Sequence, residues 1–225
     1  MRGFQQFLAE GRYDPAIFKA IFLAGGPASG KTTAIRRSGI TGLGYRIVNS
    51  DQFLTLLTKK AGLDQDFTNK EDGTEDPAIK QARMKAYKLN DKKLDLYIQG
   101  RLGLIVDGTG SYFPMIRDQS QNLRYLGYDT YMIFIKTPLE VAQKRNIDRY
   151  EKEGDRKLDP EIVSQSWWNA MANEDDFKKH FGRNFISMRS DTATNVDYEK
   201  VYKQVMKFTR KPIRNPQAKL WLKHG

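Results

Sequence analysis

Five short apolar runs punctuate the chain: "AIFLAG" at 20–25, "YRIVNS" at 45–50, "LGLIVDG" at 102–108, "DTYMIFIK" at 129–136 and "NFISMR" at 184–189. Most are continuous rather than alternating, as strands covered on both faces of a parallel sheet require. Between them lie helical patterns at 31–37, 76–99, 112–126, 138–150 and 160–172. Pro138 behind Thr137 and Pro160 behind Asp159 mark two helix starts, because proline fits the first turn and the residue before it can cap. Strand and helix alternate, so the pattern predicts one α/β domain with a parallel sheet. Two stretches break the rhythm. Residues 61–76 are polar and acidic and read as a surface loop, inside an insertion between the second and third strands. The end, "KFTRKPIRNPQAKLWLKHG", carries two prolines among basic residues and is expected to leave the core as an arm. The boundaries expected are 1–18 for an amphipathic leader, 19–192 for the α/β domain, and 193–225 for a C-terminal helix and basic arm.

Composition narrows the chemistry. The 225 residues suit one well-buried domain. No apolar run approaches the ~18–20 residues of a membrane span, and no secretory apolar segment opens the chain. The expectation is a protein with no membrane partner, outside the secretory route. Cysteine is absent, and histidine occurs only at 180 and 224, so thiolate chemistry is excluded and a zinc site or histidine triad has little basis. Carboxylates, lysine, arginine, hydroxyls and a hard divalent cation remain. The net charge of +11 favours polyanionic partners. After Glu199 no acidic residue occurs, while Lys200, Lys203, Lys207, Arg210, Lys211, Arg214, Lys219 and Lys223 come in turn.

The most specific motif is "GGPASGKTT". Gly25, Gly30, Lys31 and Thr32 satisfy G-x-x-x-x-G-K-[ST], directly after an apolar run and before a helical one. Glycines let backbone N–H groups turn inward around phosphate oxygens, and the helix N-terminus just beyond adds positive potential. Gly25, Gly26, Pro27, Ala28, Ser29, Gly30, Lys31, Thr32 and Thr33 are therefore the expected ATP cradle. Lys31 would reach the β- and γ-phosphates, and the Thr32 hydroxyl would ligate Mg²⁺.

Motors, switches and kinases share such loops. No N/T-K-x-D segment for reading guanine occurs late in the chain, and Asp107 is succeeded by Gly108, not by a second acid that could polarise a hydrolytic water. Kinase is the class left. Asp51, at the end of "VNSD", falls at the carboxyl edge of the second strand, where open α/β sheets bind ligands. It reads either as the base for an attacking hydroxyl or as a helix cap. Asp107 reads as a Mg²⁺ ligand or as a strand-end turn residue. Arg145 and Arg149 are four apart on one helical face, and Arg156 comes after a loop containing Gly154. That arrangement predicts a small helical lid, with Arg149 and Arg156 neutralising charge on the transferred phosphoryl group and Arg145 beside the nucleotide.

With these residues the chain resembles the zeta-toxin and polynucleotide-kinase branch of P-loop kinases. The resemblance covers roughly 20–190, through "GGPASGKTT", "IVNSD" and "LIVDGTGSYFPMIRDQSQNLRYLGYDTYMIFIKTPLEVAQKRNIDRY". It implies a P-loop kinase fold, with a five-stranded parallel sheet in the order 2-3-1-4-5 and flanking helices. It also implies Asp51 as base and Asp107, with Thr109, near the acceptor. Family members phosphorylate a sugar-nucleotide, a nucleic-acid 5′ end or, in some phage enzymes, a hydroxymethylated DNA base. Arg83 and Arg101, with Lys80, Lys85, Lys88 and Tyr87, are the expected acceptor-side residues, and they tilt the acceptor toward nucleic acid or nucleotide. A UDP-N-acetylglucosamine kinase and a non-catalytic ATP- and DNA-binding phage protein are the alternatives left open. "MRGFQQFLAE" places Phe4, Phe7 and Leu8 on one helical face. It resembles the leaders of proteins packaged in phage heads, which implies cleavage after Glu10 by a prohead protease. The location implied is the host cytoplasm, after packaging in the virion head.

Overall fold

The computed structural model describes residues 11–68 and 74–224. The leader residues Phe4, Phe7, Leu8 and Glu10, and part of the acidic loop, lie outside the described residues. β1 (Lys19–Ala24) is buried at every position, which explains why its sequence "KAIFLA" does not alternate. It pairs in parallel with β4 (Leu104–Asp107) on one side and β5 (Asp129–Lys136) on the other. β2 (Arg46–Val48) joins outside β4, and β7 (Phe185–Arg189) outside β5, both in parallel. The main sheet therefore runs β2-β4-β1-β5-β7. Among these five strands alone the succession is second, third, first, fourth, fifth. The chain-wide numbers differ because β3 (Asp66–Phe67) and β6 (Lys157–Leu158), which the hydropathy pattern does not anticipate, form a separate two-stranded sheet.

Helices cover both faces. α1 (Lys31–Ser38) leads out of the glycine loop and stops at Gly39, whose left-handed backbone lets its N–H reach the carbonyls of Ile35 and Arg36. It packs with α8 (Asn195–Thr209) over a core of Ile21, Leu23, Ile105, Ile133, Val201 and Val205. The opposite core gathers Phe22, Val48, Leu104, Met132, Phe134 and Phe177 under α4 (Phe113–Tyr125) and α7 (Glu174–Phe181). α2 (Ser50–Lys60) and α3 (Pro77–Gln99) pack on each other around Leu54, Phe67, Ile79 and Ala86 and form the insertion. α5 (Leu139–Glu153) and α6 (Pro160–Ala172) flank β6. Asp159 caps α6 by accepting from the Glu161 N–H, as "DP" suggests. Thr137 does not cap α5: Pro138 is the N-cap, with no side-chain cap bond.

The C-terminal segment does not leave the core. α9 (Pro216–His224) buries Ala218 completely and sets Trp221 edge-on to Phe18, with ring centres 5.6 Å apart. Arg12 donates to the Leu222 carbonyl at 2.6 Å, tying the start of the described chain to its end. Its apolar positions 218, 221 and 222 share one helical face, which is enough to dock a short helix despite the basic residues around it. Among the described residues no helix is long and apolar enough to cross a membrane.

Candidate active site

The site is built at the carboxyl edge of the sheet, where β1, β2 and β4 end. Gly25 (φ +145°), Ala28 (+54°) and Gly30 (+90°) put the loop after β1 into a succession of left-handed and extended conformations that turns amides inward. A Cβ on Gly25 would lie 2.4 Å from the Ile135 carbonyl oxygen, so only glycine fits there. Ala28 takes up a left-handed backbone that costs an ordinary residue about 1–2 kcal/mol, strain of the kind stored at ligand clamps. The first bond of α1 runs from Ala34 N–H to Gly30 O at 2.9 Å, leaving the N–H groups of Lys31, Thr32 and Thr33 without helical partners. Pro27 has no N–H to add. Lys31 Nζ folds over the loop and donates to the carbonyls of Gly25 (2.7 Å) and Gly26 (3.0 Å).

Two carboxylates face this lysine. Asp107 ends β4 in register with Leu23. Asp51 stands in the first turn of α2, and it is not the cap. That role belongs to Asn49, whose Oδ1 accepts from the Asp51 N–H at 2.7 Å. The Asn49 Nδ2 donates to Asp107 Oδ2, also at 2.7 Å, so one side chain holds the Asp107 carboxylate and the Asp51 backbone. Asp107 Oδ1 is buried without a partner. Burial pushes the Asp107 carboxyl above its usual range, against the pull of Lys31. Burial pulls the Lys31 ammonium down, with Asp107 and then Asp51 drawing it back.

The lid closes over these groups. Arg156 donates through Nη1 and Nη2 to the two Asp51 oxygens at 2.9 and 2.7 Å. Burial raises the Asp51 carboxyl, but the Arg156 bonds and charge, then Lys31 and Arg149, outweigh it and hold it below the usual range. Arg149 donates to the Arg156 carbonyl and approaches Asp155 at 3.7 Å, leaving its Nε buried without a hydrogen-bond partner. The lid is pinned to the insertion by the β3–β6 pairing and by Lys157 on Asp66 at 2.8 Å. Arg145 Nη1 reaches Ser190 Oγ at 2.9 Å, and that hydroxyl donates to the Ser29 carbonyl at 2.5 Å, so Arg145 braces the loop from behind Gly30.

The structure thus gathers Lys31, Asp51, Asp107, Arg149 and Arg156, and sets Arg145 against the loop. Thr109 stands beneath it, its carbonyl accepting from the Gly25 N–H at 3.0 Å. Thr32 is exposed at the loop mouth. Arg101 is a correction. It lies before β4, at the amino edge of the sheet, where it donates to the Ile98 carbonyl and faces the Phe18 ring. The chain enters a parallel strand at one edge of the sheet and leaves it at the other, so Arg101 stands at the edge away from Asp107 and the glycine loop. Arg83 is engaged by Glu75 instead of facing the loop, and Lys80, Lys85 and Lys88 are exposed along α3. Three residues of the site carry no motif. Asn49 and Ser190 make the bonds described above, and Trp167 packs on Gly26 while donating to the Thr137 carbonyl at 2.7 Å. Asn49 had a signal, as an Asn one residue before a helix that starts at a strand end.

A glycine loop leaving the central strand, its lysine, two strand-end acids and an arginine lid define a P-loop kinase, a phosphotransferase. The Zeta toxin profile matches residues 14–203, and the chain belongs to that family. Solved structures of similar fold include a protein of the PezAT chromosomal toxin–antitoxin system of Streptococcus pneumoniae (17% identity, 92% of this chain and 94% of that one, TM-score 0.55). The AvrRxo1-ORF1:-ORF2 complex with ATP is another (16% identity, 94% and 73%, TM-score 0.60). The Pnkp1/Rnl/Hen1 RNA repair complex is a third (19% identity, 71% and 46%, TM-score 0.52), and the chain spans less than half the length of that protein. At these identities the likeness is one of fold. No curated protein sequence matches the chain significantly.

Proposed function

We propose that the protein transfers the γ-phosphate of ATP to a hydroxyl of a nucleic acid or nucleotide, with Asp51 as the general base. The observation that carries this reading is the pairing of Asp51 and Asp107 through Asn49 beside Lys31, at the mouth of the glycine loop. Asp51 is held ionised and its side chain is about half exposed (56%), so an acceptor hydroxyl can reach it and pass it a proton. The loop amides and Lys31 hold the phosphates, and Arg149 and Arg156 stand where charge spreads over the moving group. The residues also fit Mg²⁺. Asp107 Oδ1 is buried and unpartnered, and Thr32 offers an exposed hydroxyl, the sparse oxygen set this ion takes when phosphates and water complete its shell. Thr32 and Asp107 would hold it, and it supplies neutralisation of the β- and γ-phosphate oxygens. The polyanionic acceptor is supported by the net charge of +11. A leader removed after Glu10 in a phage head belongs to the same proposal.

The test is labelled ATP with purified protein and a panel of oligonucleotides, nucleotides, nucleosides and sugar-nucleotides. Label on an oligonucleotide or nucleotide supports the reading, and label confined to a sugar-nucleotide replaces the acceptor. Asp51→Asn is expected to cut kcat by about 10²–10⁴ while ATP affinity stays within a few-fold. Full transfer by that variant would remove Asp51 from the mechanism.

A further inference from the structure

The basic C-terminal run is not absorbed by the P-loop site. It lies at the opposite edge of the sheet, beside a cleft of about 490 Å³ lined by Arg124, Thr130, Lys179, Arg183, Asn184 and Asn215. Arg124 donates through Nε to Thr130 Oγ1 at 2.7 Å, with its guanidinium over the Phe181 ring. Lys211 donates to Asn184 Oδ1 at 3.0 Å, and Asn215 is fixed on the Arg124 carbonyl at 3.0 Å. The one lining carboxylate, Asp129, is taken by the buried Lys19 at 2.5 Å. Among the described residues no carboxylate lies within ion-pair distance of Arg124, Arg183 or Lys211. Lys179 approaches only the exposed Asp176, at 3.9 Å, a contact worth little in water.

Cations crowded in excess of their counter-ions oppose folding, so their presence asks for a ligand. Burial lowers the Lys211 ammonium first and Arg183 next; Asp129 draws it back, and Lys19 and Lys207 lower it again, so cations outnumber the one acid among them. The positive surface runs on from Lys211 to Lys207 along α8, which is more than one phosphate can occupy. Asp129 opens the eight-residue β5. Phe134, near its other end, pairs with Ala24 under the glycine loop. At about 3.3 Å per residue the five steps between them span roughly 17 Å, so the cleft is a site apart from the loop.

We propose that this rear cleft is a second polyanion site, which holds the phosphate backbone of a nucleic-acid strand independently of the transfer reaction. Arg183 and Lys179 are exposed and available for charge reversal. The experiment measures binding of a fluorescein-labelled single-stranded oligonucleotide of about a dozen nucleotides by anisotropy across a salt series. Arg183→Glu/Lys179→Glu is expected to weaken binding at least tenfold and to flatten the log–log salt slope by about one to two, with thermal melting and ATP affinity unchanged. Lys60→Glu/Lys92→Glu, an equal charge change on exposed positions of α2 and α3, is expected to alter binding less than about threefold. Wild-type affinity in the first variant overturns the proposal, as does an equal loss in both. Retention of the protein by anionic vesicles with no oligonucleotide binding also overturns it.

Discussion

Arg156 grips Asp51 through two parallel N–H···O bonds, and this pair decides how the acid behaves. Without the guanidinium, Asp51 loses the strongest of the groups that hold its carboxyl down. A base works only above its pKa. Arg156→Gln is therefore expected to move the acid limb of the kcat/KM profile to higher pH, and to lower kcat by about 10²–10³ through lost charge neutralisation. The measurement is a pH–rate series on both proteins. An unmoved limb with a reduced rate would leave Arg156 a charge role only. Asn49 matters at the same scale, since removing its amide frees the Asp107 carboxylate and uncaps the helix that carries Asp51. Its contribution was hidden in the sequence because the bond that counts, to Asp107, joins residues 58 positions apart.

The lid, loop and insertion are elements whose contacts cross one another. α6 reaches the phosphate loop through Trp167, and a Cβ on Gly26 would lie 3.1 Å from the Trp167 Cα and 3.2 Å from Cδ1. The Trp167 ring and backbone would have to give by a few tenths of an ångström. Gly26→Ala is expected to push α6 off the loop and weaken ATP binding about tenfold, within the ~1–3 kcal/mol that overpacking costs. Trp167→Ala in the same chain should recover part of the loss, and calorimetry with ATP checks both. If Gly26→Ala binds like wild type, α6 does not shape the loop. The helices themselves were legible, because periodicity and proline or glycine boundaries are local. β3 and β6 were not: two residues each carry no readable alternation, and they exist only because the insertion and the lid meet.

For the molecule as a whole, the C-terminal segment distinguishes an arm from a structural helix. Ala218, Trp221 and Leu222 close the core beneath Phe18 and Gly127. Truncation after Lys211 exposes those rings and is expected to cost roughly 3 kcal/mol, read as a lower midpoint in urea unfolding. A detached arm would come off without loss. Just before that helix Lys211 bonds Asn184 of the rear cleft, so part of the charge read as a tail belongs to a folded face.

What the amino-acid sequence determined alone is whatever short-range rules control: the glycine loop, the five strands of the main sheet, most helix limits, and hence the class of chemistry. Tertiary structure alone decided which charges meet. It tied Asp51 to Arg156, sent Arg101 to the wrong edge, engaged Arg83 elsewhere and folded the basic terminus onto the core. These outcomes depend on pairs distant along the chain, and a carboxylate or guanidinium has the same local signature whichever partner it finds.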